Sequence, residues 1–339
     1  MKKKPKILLV FDSPYFTPRG YSFKKEFEDL DWMVEEEVFT TLKEANYEVS
    51  LLGLYNDVSI LLEEIRENKP DIIFNLVEVF NQKSFLDKNV ASLFEMLNIP
   101  YTGASSQALF ICNDKALTKK ILSFHRIKVP NFYTFHRGRR IWLPKKLKPP
   151  LIVKPLCEEA SRGISLASIV DNEQALVERV KFIHQSLNTD AIAEEYIEGR
   201  ELYVSVLGNK KIKVLPFREM KFGEFSEDEP RIATYKAKWD YDYREKWGIK
   251  NVFAGRLPEG VDKKIEEICK RAYRALSMNS YARFDIRLTP TSEVYIIEAN
   301  ANPSLAKNDE LAQSAEKAGI NYLKLLEKII SLGFQKLEA

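Results

Sequence analysis

A chain of 339 residues has room for two or three domains, and 45% hydrophobic against 30% charged residues is the balance of an ordinary globular protein. Its 52 basic and 49 acidic side chains nearly cancel, to +3, so no charge surplus points to nucleic acid or a membrane surface as partner. Three scattered cysteines without a CxxC, three histidines without metal-ligand spacing, and no run near the roughly 20 apolar residues that span a bilayer favour a reduced, cytoplasmic setting without zinc chemistry. The lysines after Met1 do not open a signal peptide, because Asp12-Ser13-Pro14 interrupts the apolar stretch behind them.

The run Lys6 to Phe11 suits a buried parallel strand, and the pattern continues with a helix over 33–45, a strand over 47–52, a helix over 58–67 and a strand over 71–76 introduced by Pro70. Strands alternating with helices predict an α/β domain over 1–108, a doubly wound, mostly parallel sheet with right-handed crossovers. Such a fold invites a dinucleotide reading, but the turn Asp12-Ser13-Pro14-Tyr15 has no glycine, no GxGxxG follows, and a P-loop is absent. Any nucleotide must be held by other equipment. After residue 108 the texture changes toward α+β. A helix over 113–124 leads through a Pro- and Lys-rich connection (144–150) to strands over 151–154 and 191–196, and the turn Glu198-Gly199-Arg200 follows. The chain then reads β-rich to 217, irregular and charged to about 255 and helical over 261–277. Two strands and a closing amphipathic helix over 320–332 complete it.

The two late strands carry the most informative residues. Ala282 to Leu288 and Val294 to Asn300 both alternate, which puts Arg283 with Asp285 on one face and Glu298 with Asn300 on one face. A four-residue loop, 290–293, pairs Thr289 with Val294, sets Asp285 opposite Glu298 and sets Arg283 opposite Asn300. Two carboxylates facing across a ladder repel, and they become sensible around a hard cation with Asp285, Glu298 and the Asn300 amide as oxygen ligands. The bland alternative is an exposed hairpin face with one salt bridge to Arg283. Residues alone leave both open.

Here the sequence resembles the ATP-grasp ligases of the D-alanine–D-alanine ligase type, whose R-x-D and E-x-N-x-x-P segments match Arg283-Phe284-Asp285 and Glu298-Ala299-Asn300-Ala301-Asn302-Pro303. Further matches come in the family's order. Pro100-Tyr101-Thr102-Gly103 precedes Asp114-Lys115, and Val153-Lys154-Pro155 precedes Ser161-Arg162-Gly163. Glu194-Glu195-Tyr196-Ile197-Glu198-Gly199-Arg200-Glu201 follows. The resemblance spans nearly the whole chain and implies an ATP-grasp fold, with a central lobe over 109–197 and a C-terminal lobe over 198–339.

It also implies roles. Lys115, Lys154 and Lys238 contact ATP phosphates, where point charges offset the polyanion. The loop from Cys157 to Gly163, with Ser161, closes over the phosphates. Glu194, Glu195, Tyr196 and Ile197 line the adenine slot, and Glu201 accepts hydrogen bonds from the ribose. Asp285, Glu298 and Asn300 hold magnesium, two ions in the family, with manganese as an alternative. Arg283 stabilises developing charge beside Lys238. ATP is then a co-substrate, and the other partners are a small-molecule carboxylate and an amine; the family often forms dimers, so a homodimer is an option.

The match breaks on the substrate side. The family's glutamate that grips the first substrate's ammonium has only Asp29 or Asp31 as stand-ins, and its supporting serine and tyrosine align with Ala160 and Trp239. The serine that holds the second substrate's carboxylate falls near Asp309, which repels a carboxylate. The expected activity is an ATP-dependent ligase acting on an amino acid or peptide-like carboxylate. The alternatives are a D-alanine–D-alanine ligase with a redistributed pocket and a catalytically silent nucleotide-binding module.

Overall fold

The computed structural model of the chain describes residues 4–157, 163–223, 234, 236–237 and 240–336. The first sheet holds β1 (Lys6–Asp12), β2 (Glu48–Leu54) and β3 (Ile72–Leu76), all parallel in the order β2-β1-β3. Residues 7 to 11 of β1 are all buried, which is why this strand reads as a continuous apolar run. On one face, the helices Met33–Glu44 and Tyr322–Gln335 bring Val38, Leu42, Leu325 and Ile329 against Ile7, Leu9 and Phe11. On the other, Leu61, Val90 and Phe94 pack with Leu8 and Val10. The expected doubly wound arrangement is present, and one of its covering helices comes from the far end of the chain.

The second sheet is antiparallel and contains β4 (Phe132–Phe135), β5 (Leu151–Pro155), β6 (Ile169–Val170) and β7 (Ala191–Glu195) in the order β4-β7-β5-β6. The helix Glu173–Ser186 supplies Leu176, Val180 and Ile183 to a core of its own with Leu151 and Val153. The third sheet is also antiparallel, with β8 (Arg200–Leu207), β9 (Lys213–Val214), β10 (Arg218–Lys221), β11 (Lys250–Phe253), β12 (Tyr281–Leu288) and β13 (Val294–Asn300). Its order is β11-β10-β8-β12-β13, and β9 pairs with β8. Behind it, Ile265, Cys269 and Ala272 of the helix Val261–Ala275 sit in one core with Leu8 and Leu52 of the first sheet. First and third sheets therefore share cores, whereas the second has a core of its own on one face and packs Leu156 and Ile192 against Ala116 on the other.

Two features depart from the sequence reading. The helix expected over 113–124 is present as Lys115–Phe124, started by the Asp114 side chain, which accepts from the Ala116 and Leu117 amides, and a further helix that the sequence reading did not give, Ser106–Asn113, precedes it. Both contribute to the core shared by the first and third sheets, through Ala108, Leu109 and Leu122. The stretch read as irregular holds β10 and β11; Glu219 of β10 pairs with Arg200 at 2.8 Å, so charge pairing rather than apolar alternation marks that strand. Among the described residues no helix is long and apolar enough to cross a membrane.

Candidate active site

β12 and β13 pair with Asp285 opposite Glu298 and Arg283 opposite Asn300, the register expected at this end. The hairpin end differs, since Leu288 rather than Thr289 faces Val294 and the loop runs over 289–293. Ile297 has no partner on β12: Ile286 pairs with Ile296 while Asp285 pairs with Glu298, so a bulge at Ile297 brings the register back. The two carboxylates do not stand unscreened. Arg283 reaches Asp285 with Nε at 2.7 Å and Nη2 at 3.2 Å, and the Asn300 amide donates to Asp285 Oδ1 at 3.2 Å. Lys115 Nζ lies 3.1 Å from Glu298 Oε1. Burial works against the Arg283 charge, but Asp285 and Glu310 more than offset it and hold the guanidinium protonated.

Among the described residues no group of three or more His, Cys, Asp and Glu side chains is arranged to hold a metal ion. The donor set at the hairpin is two carboxylates and an amide. These are hard oxygen donors that suit a magnesium-type cation, and each carboxylate already attracts a cationic side chain.

One slot gathers most of the other residues singled out by sequence. Lys154 from β5, Glu194 and Glu195 from β7, Tyr196 and Ile197, Glu201 from β8, and Asp285 and Glu298 line it between the second and third sheets. The deep slot is about 60 Å³, and through Tyr196 and Glu201 it meets a wider recess of about 1450 Å³. Glu201 accepts from Arg287 at 2.6 Å and from the Tyr203 hydroxyl at 3.1 Å, and the Arg287 guanidinium sits 5.7 Å from the Tyr196 ring centre. Gly199 turns the chain between the two sheets at φ +146°, where an added Cβ would lie 2.2 Å from the Leu288 carbonyl oxygen.

Glu194 lines the slot, yet it is 0% exposed and its oxygens lie 3.0 Å from Lys119 Nζ and 3.2 Å from Lys154 Nζ. Burial alone would raise its pKa, but the two ammonium groups lower it and keep it ionised. Lys119 is the residue sequence reasoning missed. Its signal was legible in the spacing: Lys115 and Lys119 stand four apart, and both fall on the buried stripe of their helix with Ala116 and Leu122.

Gly163 has φ +73°, and a Cβ there would meet Leu187 at 2.5 Å, so its close approach is to the second lobe's own core. Ser161 and Lys238 lie outside the described residues, as do Ala160 and Trp239. On the substrate side, Asp29 and Asp31 are exposed, and Asp29 caps the Asp31 amide at 3.1 Å. The desolvated carboxylates of this region are instead Glu35, pushed up to about 7 by burial with Asp12 nearby, and Asp12 itself, also raised by burial. Asp309 is raised by burial too, opposed by a hydrogen bond with Ser304, and Arg283 and Arg218 lie within electrostatic reach.

The family model described as D-ala D-ala ligase C-terminus matches residues 122–331. An uncharacterized protein of Sinorhizobium fredii, y4sG, is 29% identical over 89% of this chain and 88% of its own length. D-alanine–D-alanine ligase A of Bacillus cereus is 28% identical over 92% of this chain and 94% of its own. The crystal structure of D-alanine–D-alanine ligase from Bacillus anthracis complexed with ATP superposes with a TM-score of 0.74 at 23% identity, over 98% of this chain and 99% of that one.

Proposed function

The chain belongs to the D-Ala–D-Ala ligase family of ATP-grasp enzymes, and on that premise we propose that it joins an amino acid or peptide-like carboxylate to an amine in the cleft between its second and third sheets. It is an ATP-dependent, ADP-forming carboxylate–amine ligase that uses a divalent metal. The observation that carries the placement is the convergence of Lys154, Glu194 to Ile197, Glu201, Asp285 and Glu298 on one slot from two separate sheets.

In this reading the adenine lies against Tyr196 and Ile197, with the backbone of Glu195 beside it, and the ribose hydroxyls meet Glu201. Lys115 and Lys154 face the phosphates, with Lys238 as a third lysine from outside the described residues. Ser161 and Gly163 belong to the loop over them. Asp285, Glu298 and Asn300 hold magnesium, two ions by family likeness, and the metal supplies charge neutralisation at the transferring phosphoryl group. Lys115 and Arg283 pair with these carboxylates here, and with a metal on the acids they would be available to phosphate oxygens.

The substrate carboxylate attacks the γ-phosphorus, the bond to the β-bridging oxygen breaks, and ADP leaves. The amine then attacks the acyl phosphate carbon, and phosphate departs from a tetrahedral oxyanion. Arg283, whose guanidinium stays charged, stabilises negative charge in both steps. Among the described residues no histidine, serine or cysteine lines the slot, in keeping with catalysis by positioning and electrostatics.

The test is ADP release from ATP and magnesium with pooled amino acids and short peptides, the product mass read directly. A pool-dependent burst of ADP with a condensed product supports the reading. ADP no higher than the magnesium-free control with every pool overturns it.

A further inference from the structure

Resting on that reading, we infer that Lys119 is a positioning residue that sets Glu298 across from Asp285 by holding the carbonyl of the bulged Ile297.

The observations are geometric. Lys119 is 2% exposed, and its Nζ donates to the Ile297 carbonyl at 2.7 Å while lying 3.0 Å from Glu194 Oε1. Ile297 is the one residue of β13 without a partner on β12 in this stretch, so the ladder gives its carbonyl no counterpart there. Lys119 supplies that counterpart, and without it the half-buried carbonyl would favour closing the bulge to regain a partner in the ladder. Closing it moves every residue beyond by one, and since side chains alternate across a strand, Glu298 would turn to the opposite face. The proposed metal site exists only while Ile297 stays out of register. Ile296 is held as well, its amide donating to the Lys128 carbonyl at 3.0 Å, which fixes the strand just before the bulge.

The same ammonium meets Glu194 of β7, so one side chain links the second sheet to the third across the slot. Lys115, one turn earlier on the helix, reaches Glu298 at 3.1 Å. The two lysines divide the work: Lys115 meets the carboxylate itself, and Lys119 sets the backbone from which that carboxylate projects. Charge balance alone would explain Lys119 otherwise, as a mere counter-ion for Glu194, and the two roles separate by experiment.

Lys119→Met removes both contacts, Glu194→Gln removes the ion pairs of Glu194 with Lys119 and Lys154, and the double variant, read against Glu194→Gln, removes the carbonyl contact without stranding a buried carboxylate. Binding of Mn2+ in the presence of ADP, followed by electron paramagnetic resonance, reads the metal site without turnover, and thermal unfolding reads the fold. The expected result is an Mn2+ dissociation constant raised about tenfold or more in K119M over wild type and in the double variant over E194Q, even though the double variant's melting temperature recovers toward wild type. If K119M does not fold, the double variant decides alone. Mn2+ affinity in the double variant equal to that of E194Q overturns the inference and leaves Lys119 a counter-ion. If the wild-type protein binds Mn2+ with ADP but condenses no substrate, the ligase reading fails and the Lys119 inference stands. If it binds no Mn2+ with ADP, the metal assignment and the inference fall together.

Discussion

Arg287 stands opposite Glu201 on the neighbouring strand, and its Nη2 lies 2.6 Å from Glu201 Oε2, both side chains buried. A second guanidinium nitrogen donates to the Gly199 carbonyl at 2.9 Å, so Arg287 fixes both the proposed ribose acceptor and the turn that joins the two sheets. Truncating one partner of a buried pair leaves an uncompensated charge and costs about 3–5 kcal/mol. Arg287→Met is expected to lower thermal stability and to raise the KM for ATP at least about tenfold, with a smaller effect on kcat. A KM for ATP equal to wild type would separate Glu201 from the nucleotide.

The acids of the hairpin should respond differently from each other. Asp285→Ala leaves Arg283 buried with Glu310 at 3.8 Å as its remaining carboxylate, so the variant should lose about 3 kcal/mol of stability as well as turnover. Glu298→Ala removes a carboxylate that is itself 25% exposed but takes a partner from the buried Lys115, so its stability should fall less, by about 1–2 kcal/mol. Turnover at saturating magnesium should fall at least about a hundredfold in both. Unfolding curves and ADP release on the same preparations check the split. Wild-type turnover in either variant would remove the metal assignment.

The hairpin shows where sequence logic reaches and where it stops. Alternation placed Asp285 and Glu298 on facing positions, and the structure agrees, but for a reason alternation does not contain. The expected four-residue loop would have aligned them without help. The actual hairpin opens one pair earlier and recovers with a bulge, and that bulge depends on a lysine from a helix 178 residues away in sequence. The strands of the first sheet were legible because burial on both faces makes them uniformly apolar. β10 and β11 were not, since Arg218–Lys221 and Lys250–Phe253 are four-residue strands at or near a sheet edge that carry charges paired across strands. Which carboxylate is desolvated near the substrate side also could not be read locally: the sequence reading offered only Asp29 and Asp31, which are exposed, whereas burial falls on Glu35.

Glu35 gives a pH signature. Burial raises its pKa to about 7 from an ordinary 4.5, and the nearby Asp12 carboxylate, itself raised by burial, acts in the same direction. A carboxyl whose folded pKa lies above its unfolded value binds protons more tightly when folded, so its contribution is fully present below about 4.5 and is lost as pH rises through about 7. The loss is on the order of 2–3 kcal/mol after allowance for its partial exposure. Melting temperature should therefore decline between pH 5 and pH 7.5 in the wild type, and Glu35→Gln should flatten that decline and gain stability at the alkaline end. A melting temperature that climbs with pH in both proteins equally would show that Glu35 is ionised in the folded state throughout.

Substrate choice turns on the acids that surround the proposed centre. Family likeness puts a carboxylate-binding serine near Asp309, and here the side chain is itself a carboxylate, raised by burial, hydrogen-bonded with Ser304 and next to Glu310. When ionised it repels the α-carboxylate of an incoming amino acid, and when protonated it can only donate a single hydrogen bond, which is a weak substitute for a cationic clamp. On the other side, Asp29 and Asp31 are exposed to water, and burial of Glu35, the desolvated carboxylate of that region, favours its neutral form over the anion that an amino acid's ammonium needs. D-Alanine alone should accordingly give little or no dipeptide. Amines that lack an α-carboxylate, such as amino acid amides, should serve as acceptors better than the free acids, and Asp309→Ser should shift that preference toward the free acids by about tenfold. Product mass from parallel reactions with D-alanine, L-amino acids, their amides and short peptides decides it: D-alanyl-D-alanine formed faster than every other product would show that the pocket is a D-alanine pocket after all.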